Sequence, residues 1–228
     1  MKRIDIASRI TLVVAVAWGT FTASPAAAQV VLSDVVTVGS ASGSPGSTVN
    51  VPVYIRDTAG TPLGIDQPSG SRIQSYSITV DYAPTTSVQT VTFTRAGITA
   101  PLTPTFESSP STTGAISLID QFAEMTNLIP FNSNAALPGN LVGHLLVTIP
   151  ASAVPGSTIN LTLDPLTTEL TDAGGTPATA ETPANGRLTL VAGAIAITAS
   201  AGNVPTLGTW ALLFLAAALA FVAVRVRM

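Results

Sequence analysis

The chain carries one histidine and no cysteine, which limits its chemistry before anything else does. A zinc centre needs three or four imidazole, thiolate or carboxylate ligands in a tight set, and a thiol nucleophile needs a cysteine. Ser–His–Asp hydrolysis would have to run through His144, inside the apolar run 141–147, and no G-x-S-x-G elbow offers it a serine. On strict alternation His144 shares a face with Val142 and Leu146, opposite Leu145 and Val147. Both faces are apolar, so it reads as a packed or edge histidine. Paired carboxylates could hydrolyse a glycosidic bond, but Glu107, Asp120, Glu124, Glu169 and Asp172 are scattered singly, as solvated loop acids are. Calcium asks only for oxygen ligands from loops. Asp164, Glu169 and Asp172 are neighbours in sequence, as are Asp120 and Glu124, and a structural calcium would belong there. No catalytic residue and no other cofactor is expected. Asn160-Leu161-Thr162 has the form of a glycosylation sequon.

Glycan binding is a separate question. Polysaccharide platforms rely on large flat aromatic faces. Both tryptophans, Trp18 and Trp210, lie in apolar segments near the ends of the chain. Between them stand Tyr54, Tyr76 and Tyr82, of which the last two fall on a core-facing strand pattern and Tyr54 on an outward one.

The elements that would hold these residues follow from composition. The 228 residues are 46% hydrophobic and only 9% charged, with mean hydropathy +0.51. Disorder and a basic nucleic-acid surface are both excluded by such numbers, the net charge being -3. Much of the apolarity is terminal. Lys2, Arg3 and Arg9 precede the short apolar run 10–18, and Ala26-Ala27-Ala28 then gives an A-x-A site with cleavage before Gln29: a secretory signal peptide over 1–28. Residues 207–224 are uncharged, long enough as a helix to span a bilayer, and followed by Arg225 and Arg227, which places that end in the cytoplasm. The segment between carries four arginines, eleven acids and no lysine, a net charge of -7.

That middle segment reads as β. Thr48–Ile55 alternates with Val49, Val51, Val53 and Ile55 on one face; Pro52, on the other, suggests an edge strand or a bulge. Residues 73–82 alternate Tyr76, Ile78, Val80 and Tyr82 against Ser75, Ser77, Thr79 and Asp81. Further runs at 30–38, 88–94, 115–122, 141–149, 159–163 and 187–191 are separated by Gly, Pro, Asn and Asp clusters, with a single helical turn allowed at 120–127. The stretch 44–51 (SPGSTVNV) recurs as 154–161 (VPGSTINL). Either good turn chemistry was reached twice, or the two strands hold related places in a sandwich. Many short strands with turn signals predict an all-β two-sheet sandwich.

Two resemblances refine this. Val204, Pro205, Thr206, Leu207 and Trp210, standing before the apolar span and the terminal Arg225 and Arg227, resemble the IPTL-CTERM sorting signal of Gram-negative bacteria, with Val204 in place of Ile and Ala211 in place of Gly. That resemblance implies recognition and cleavage by an exosortase-type enzyme, a transient membrane anchor, and a destination at the cell surface or in the extracellular matrix. The middle segment resembles the cohesin domain. It carries a P-G-x-x-V-x-V-P-V segment at 45–53, Asp81-Tyr82-Ala83-Pro84 closing a strand, a G-x-I-x-L-I strand at 114–119, a G-x-L strand at 139–141, and Asn185-Gly186-Arg187-Leu188 opening the last strand. This implies a jelly-roll-like sandwich of about nine strands. The organisation is then signal peptide 1–28, cohesin-like domain 29–192, linker 193–203 and sorting segment 204–228. The expected role is non-catalytic binding of a protein partner, with a carbohydrate-binding module acting on exopolysaccharide or cell-wall glycan as the alternative.

Overall fold

A computed structural model describes residues 31–123, 126–172 and 180–200. The signal segment with Ala26, Ala28 and Gln29 lies outside the described residues. So do Glu124, the motif Val204–Trp210, the span 207–224, Arg225 and Arg227.

Among the described residues thirteen strands form, in chain order: β1 (Asp34–Val38), β2 (Ala41–Gly43), β3 (Thr48–Arg56), β4 (Ser75–Ala83), β5 (Thr90–Arg95), β6 (Phe106–Ser108), β7 (Ser111–Thr112), β8 (Ala115–Gln121), β9 (Asn140–Thr148), β10 (Thr158–Leu163), β11 (Glu169–Thr171), β12 (Leu188–Val191) and β13 (Gly193–Ile197). One sheet is ordered β12-β1-β3-β9-β5 and the other β2-β13-β10-β4-β8-β6, with β11 added beside β4 and β7 beside β8. Pairing is antiparallel except for β1–β12 and β2–β13. This is the expected all-β sandwich. The increase over about nine strands comes from β2, β6, β7 and β11, which have only two or three residues each. Segments that short cannot display a two-residue period in sequence.

Alternation builds the core. In β3 Val49, Val51, Val53 and Ile55 are all buried, and in β10 Ile159, Leu161 and Leu163 are. They pack with Ile78, Val80, Ile116, Leu118 and Ile195 into one cluster between the sheets. Residues 120–127 do contain a turn, Thr126 and Asn127 both donating to the Ala123 carbonyl.

Of the edge strand or bulge expected at Pro52, the edge is excluded, because its strand is paired on both sides. The missing N–H costs little because β1 stops at Val38, opposite Val53; beyond it the Pro52 carbonyl accepts from Gly39 N at 2.8 Å. The register does shift immediately after, between Val53 and Tyr54. The sandwich also runs past residue 192. Strand β13 occupies the start of the supposed linker, with Ile195 and Ile197 buried. Its Gly-Ala-Ile-Ala-Ile sequence alternates small with large apolar residues, which conceals a strand among apolar neighbours. It sits so close to the end of β1 that a Cβ on Gly193 would stand 1.9 Å from the Gly39 carbonyl oxygen.

The two P-G turns occupy matching places, one at the head of β3 and one at the head of β10. Gly46 and Gly156 have φ of 81° and 88°, values that cost a side-chain-bearing residue energy. Gly46 N and Ser47 O bond both backbone groups of Ile149, and Gly156 N and Ser157 O do the same to Ile197.

Candidate functional site

Strands β4 and β8 pair in register, so their outward side chains form one surface. Ser77, Thr79 and Asp81 stand beside Ser117, Ile119 and Ala115. With Pro110, Thr112, Asp164 and Thr167 they line a shallow groove of about 400 Å³ on the outer face of the larger sheet. Its floor is hydroxylic: Thr79 Oγ1 and Ser117 Oγ are 2.8 Å apart. Asp81 and Asp164 give it an acidic rim. Partial burial, and then the charge of Asp164, hold the Asp81 carboxyl above its ordinary range. Asp164 is fixed by its own turn, accepting from Leu166 N at 2.9 Å and from Thr167 Oγ1 at 2.8 Å. Leu166 in that turn is 90% exposed, and Phe106 on neighbouring β6 is 52% exposed. Apolar anchors around a polar, acidic, sheet-supported floor are suited to contact rather than to catalysis. The sequence reading named neither Phe106 nor Leu166; both sit in segments with no periodic signal.

Of the acids grouped in sequence, Asp164, Glu169 and Asp172 do not form a three-acid cluster among the described residues. Both oxygens of Asp164 serve its turn, Glu169 is exposed on β11, and Asp172 is buried and engaged. Glu107 and Asp120 are opposite each other across β6 and β8. Asp120 is fully buried, accepts the Tyr76 hydroxyl at 2.7 Å and lies 3.9 Å from Arg95 Nε. Arg95 grips Glu107 with two nitrogens, at 3.0 and 3.2 Å, and reaches over the Phe122 ring at 5.9 Å. Burial pushes Asp120 up to about 6, the Tyr76 hydrogen bond opposing it. This arrangement ties β4, β5, β6 and β8 together inside the domain.

Another set of acids went unread because its members are far apart in sequence. Asp34, Asp57 and Glu181 are each 0% exposed. One oxygen of each accepts from a backbone amide: Asp34 from Thr58 N at 2.7 Å, Asp57 from Ile65 N at 2.8 Å, Glu181 from Leu63 N at 3.0 Å. The second oxygen of each, Asp34 Oδ2, Asp57 Oδ1 and Glu181 Oε2, is buried without a hydrogen-bond partner. Burial first, and then the facing Glu181 carboxyl, push Asp34 up to about 9; burial raises Glu181 and Asp57 as well.

His144 points outward from β9 with Leu146, its Nδ1 against Asn50 Oδ1. Val142 does not share that face. The register shift opposite Val53 turns it into the core, where it is fully buried. Tyr76 is buried, while Tyr54 and Tyr82 are half-buried. Among the described residues no helix is long and apolar enough to cross a membrane.

Comparison with known proteins adds two findings. Residues 204–228 match the family model of the IPTL-CTERM motif. A comparison with curated proteins finds no match. Among solved structures the chain is similar to the third ScaC cohesin of Acetivibrio cellulolyticus, in complex with the ScaB dockerin: 20% identity over 73% of this chain and 99% of that one, TM-score 0.51. It is similar to the OlpA cohesin of Clostridium thermocellum, also in complex with a dockerin, at 12% identity over 72% and 99% of the two chains, TM-score 0.51. The seventh ScaB type I cohesin from Pseudobacteroides cellulosolvens gives 15% identity over 75% and 96%, TM-score 0.50. The fold is the cohesin-like sandwich.

Proposed function

We propose that this chain is an exported, non-catalytic surface or matrix protein whose sandwich binds a protein partner through the outer face of the larger sheet. The observation that carries this reading is the groove between β4 and β8, with its hydroxyl floor, its Asp81–Asp164 rim and the exposed anchors Leu166 and Phe106. An acidic rim on an acidic domain selects a partner presenting lysine or arginine. Exposed apolar side chains at its margins supply the contacts that usually dominate interface energy. The similar cohesins were solved with dockerins, and a small protein module is the partner class that this likeness suggests. A protein partner is favoured over a glycan because Phe106 is the one aromatic among the strongly exposed large apolar side chains of the described residues.

In this reading the C-terminal motif supplies the route. The chain crosses the inner membrane of a Gram-negative-type cell, is held by 207–224, and is released or transferred when an exosortase-type enzyme acts near Pro205–Leu207. The face is tested by substitution. Ile119→Asp should abolish capture of the partner from the producing cells, and Thr92→Asp, exposed on the smaller sheet, should leave it unchanged. Equal capture by both variants would refute the assignment.

A further inference from the structure

We propose that Asp34 and Glu181 are the anionic ligands of a calcium site closed by the loop 57–66. The fully buried carboxylates of Asp34 and Glu181 pair at this end of the sandwich, with buried Asp57 nearby, and the oxygens Asp34 Oδ2, Asp57 Oδ1 and Glu181 Oε2 are the ones without a backbone amide. Asp34 and Glu181 face each other within hydrogen-bonding reach. An unneutralised group of buried carboxylates is costly. The nearby arginines relieve it only in part: the charges of Arg56 and Arg187 favour ionised Asp57 and Glu181, yet burial outweighs them, and Arg56 gives its Nε to the Ala135 carbonyl and its Nη1 to Thr58 Oγ1 rather than to a carboxylate. Arg187 is exposed.

The surrounding oxygens point the same way. Thr61 Oγ1, itself buried, stands 2.8 Å from the Thr58 carbonyl, 2.7 Å from the Leu63 carbonyl and 3.3 Å from Asp34 Oδ1. One hydroxyl proton satisfies one of these three contacts, so the remainder is oxygen facing oxygen, which a cation would make favourable. Among the described residues no three acidic or imidazole side chains converge on one point. Ligation beyond the carboxylate pair therefore falls to carbonyl, hydroxyl and water oxygens. Calcium accepts six to eight such oxygens in a flexible shell, whereas magnesium insists on a rigid octahedron. The loop brings a further acid to the rim: a Cβ on Gly64 would stand 2.7 Å from Asp57 Oδ1 and 2.8 Å from Asp66 Oδ1. The same loop turns the amides of Thr58, Gly60, Leu63 and Ile65 onto Asp34, Asp66, Glu181 and Asp57. A cation here would fasten the first strand, the 57–66 loop and the segment beginning at Glu181 to one another. The competing occupant is a single proton shared by Asp34 and Glu181.

The test uses the full-length protein, stripped with a chelator and titrated with CaCl₂ by calorimetry, with melting curves taken in parallel. One saturable binding event and a rise in Tm of roughly 5 °C or more are expected. Glu181→Gln and Asp34→Asn keep an acceptor for the Leu63 and Thr58 amides. Each should weaken binding at least tenfold and remove the thermal shift, while Asp164→Asn should retain both. Absence of heat and shift in the unsubstituted protein at neutral pH would leave the shared proton as sole occupant and overturn the proposal. So would an equal shift from MgCl₂ or NaCl at matched ionic strength, or a shift kept by both carboxylate variants. If the variants fail to fold, the calorimetry of the unsubstituted protein decides alone. The site is independent of the partner face, so either can fail without the other.

Discussion

The Tyr76 hydroxyl donates to Asp120 Oδ2 at 2.7 Å, with both side chains out of reach of solvent. Around that bond stand Arg95, Glu107 and Thr99. Burial raises Asp120 from 3.8 to about 6 despite the hydrogen bond, so the folded chain holds this proton more tightly than the unfolded chain does. The contribution of Asp120 is therefore fully present below about pH 4 and is lost as pH rises through about 6, an effect on the order of 3 kcal/mol. Asp120→Asn should abolish the part of the stability–pH slope that falls in this window, as read by chemical denaturation at closely spaced pH values. A slope identical in both proteins would remove Asp120 as its source. Tyr76→Phe should destabilise by about 1–3 kcal/mol by leaving a buried carboxylate without its donor.

Ending the domain at residue 192 should fail. Strand β13 buries Ile195 and Ile197 and pairs with both β10 and β2. Ile195→Ala alone should cost about 2–5 kcal/mol, measurable as a lower denaturation midpoint with an unchanged slope. Replacing Gly193 by Ala sets a Cβ against the Gly39 backbone and should be at least as damaging. A variant ending at 192 that melted like the full chain would contradict the placement of β13.

What could be read from sequence, and what could not, follows from how local each signal is. The faces of β3, β4 and β10 were legible because strict alternation of branched apolar residues leaves a two-residue period. The P-G turns were legible because glycine and proline announce backbone conformation directly, and their recurrence corresponds to matched positions at the heads of β3 and β10. Val142 was misassigned because a register shift opposite Val53 carries no sequence mark. Pro52 left edge and bulge open: the register shifts beside it, and its tolerance inside a paired strand depends on where β1 stops, which is a fact about another strand. The proximity of Asp34, Asp57 and Glu181 was invisible for the same reason: parallel pairing of β1 with β12, and of β2 with β13, brings the two ends of the domain together. Proximity in sequence grouped Asp164, Glu169 and Asp172 instead, of which Asp164 fixes its own turn, Glu169 is exposed and Asp172 is buried.

The sorting segment makes its own prediction. If the motif at 204–228 is processed near Pro205–Leu207, the mature protein should lack Trp210. Intact-mass measurement of material from the producing cells checks this; a mature species retaining residues 204–228 would show an uncleaved anchor. Replacing Pro205 should cause the longer form to accumulate.

The most direct test of the central claim is site-specific photo-crosslinking on the groove. A crosslinking side chain is introduced at Ile119 between β4 and the β6 edge, and a second at Thr92 on the smaller sheet. Irradiation in the producing cells is expected to yield a discrete protein adduct from position 119, lost on Leu166→Asp, and none from position 92. Adducts of equal yield from both positions, or retention of the chain on insoluble glycan with no adduct at 119, would contradict the account.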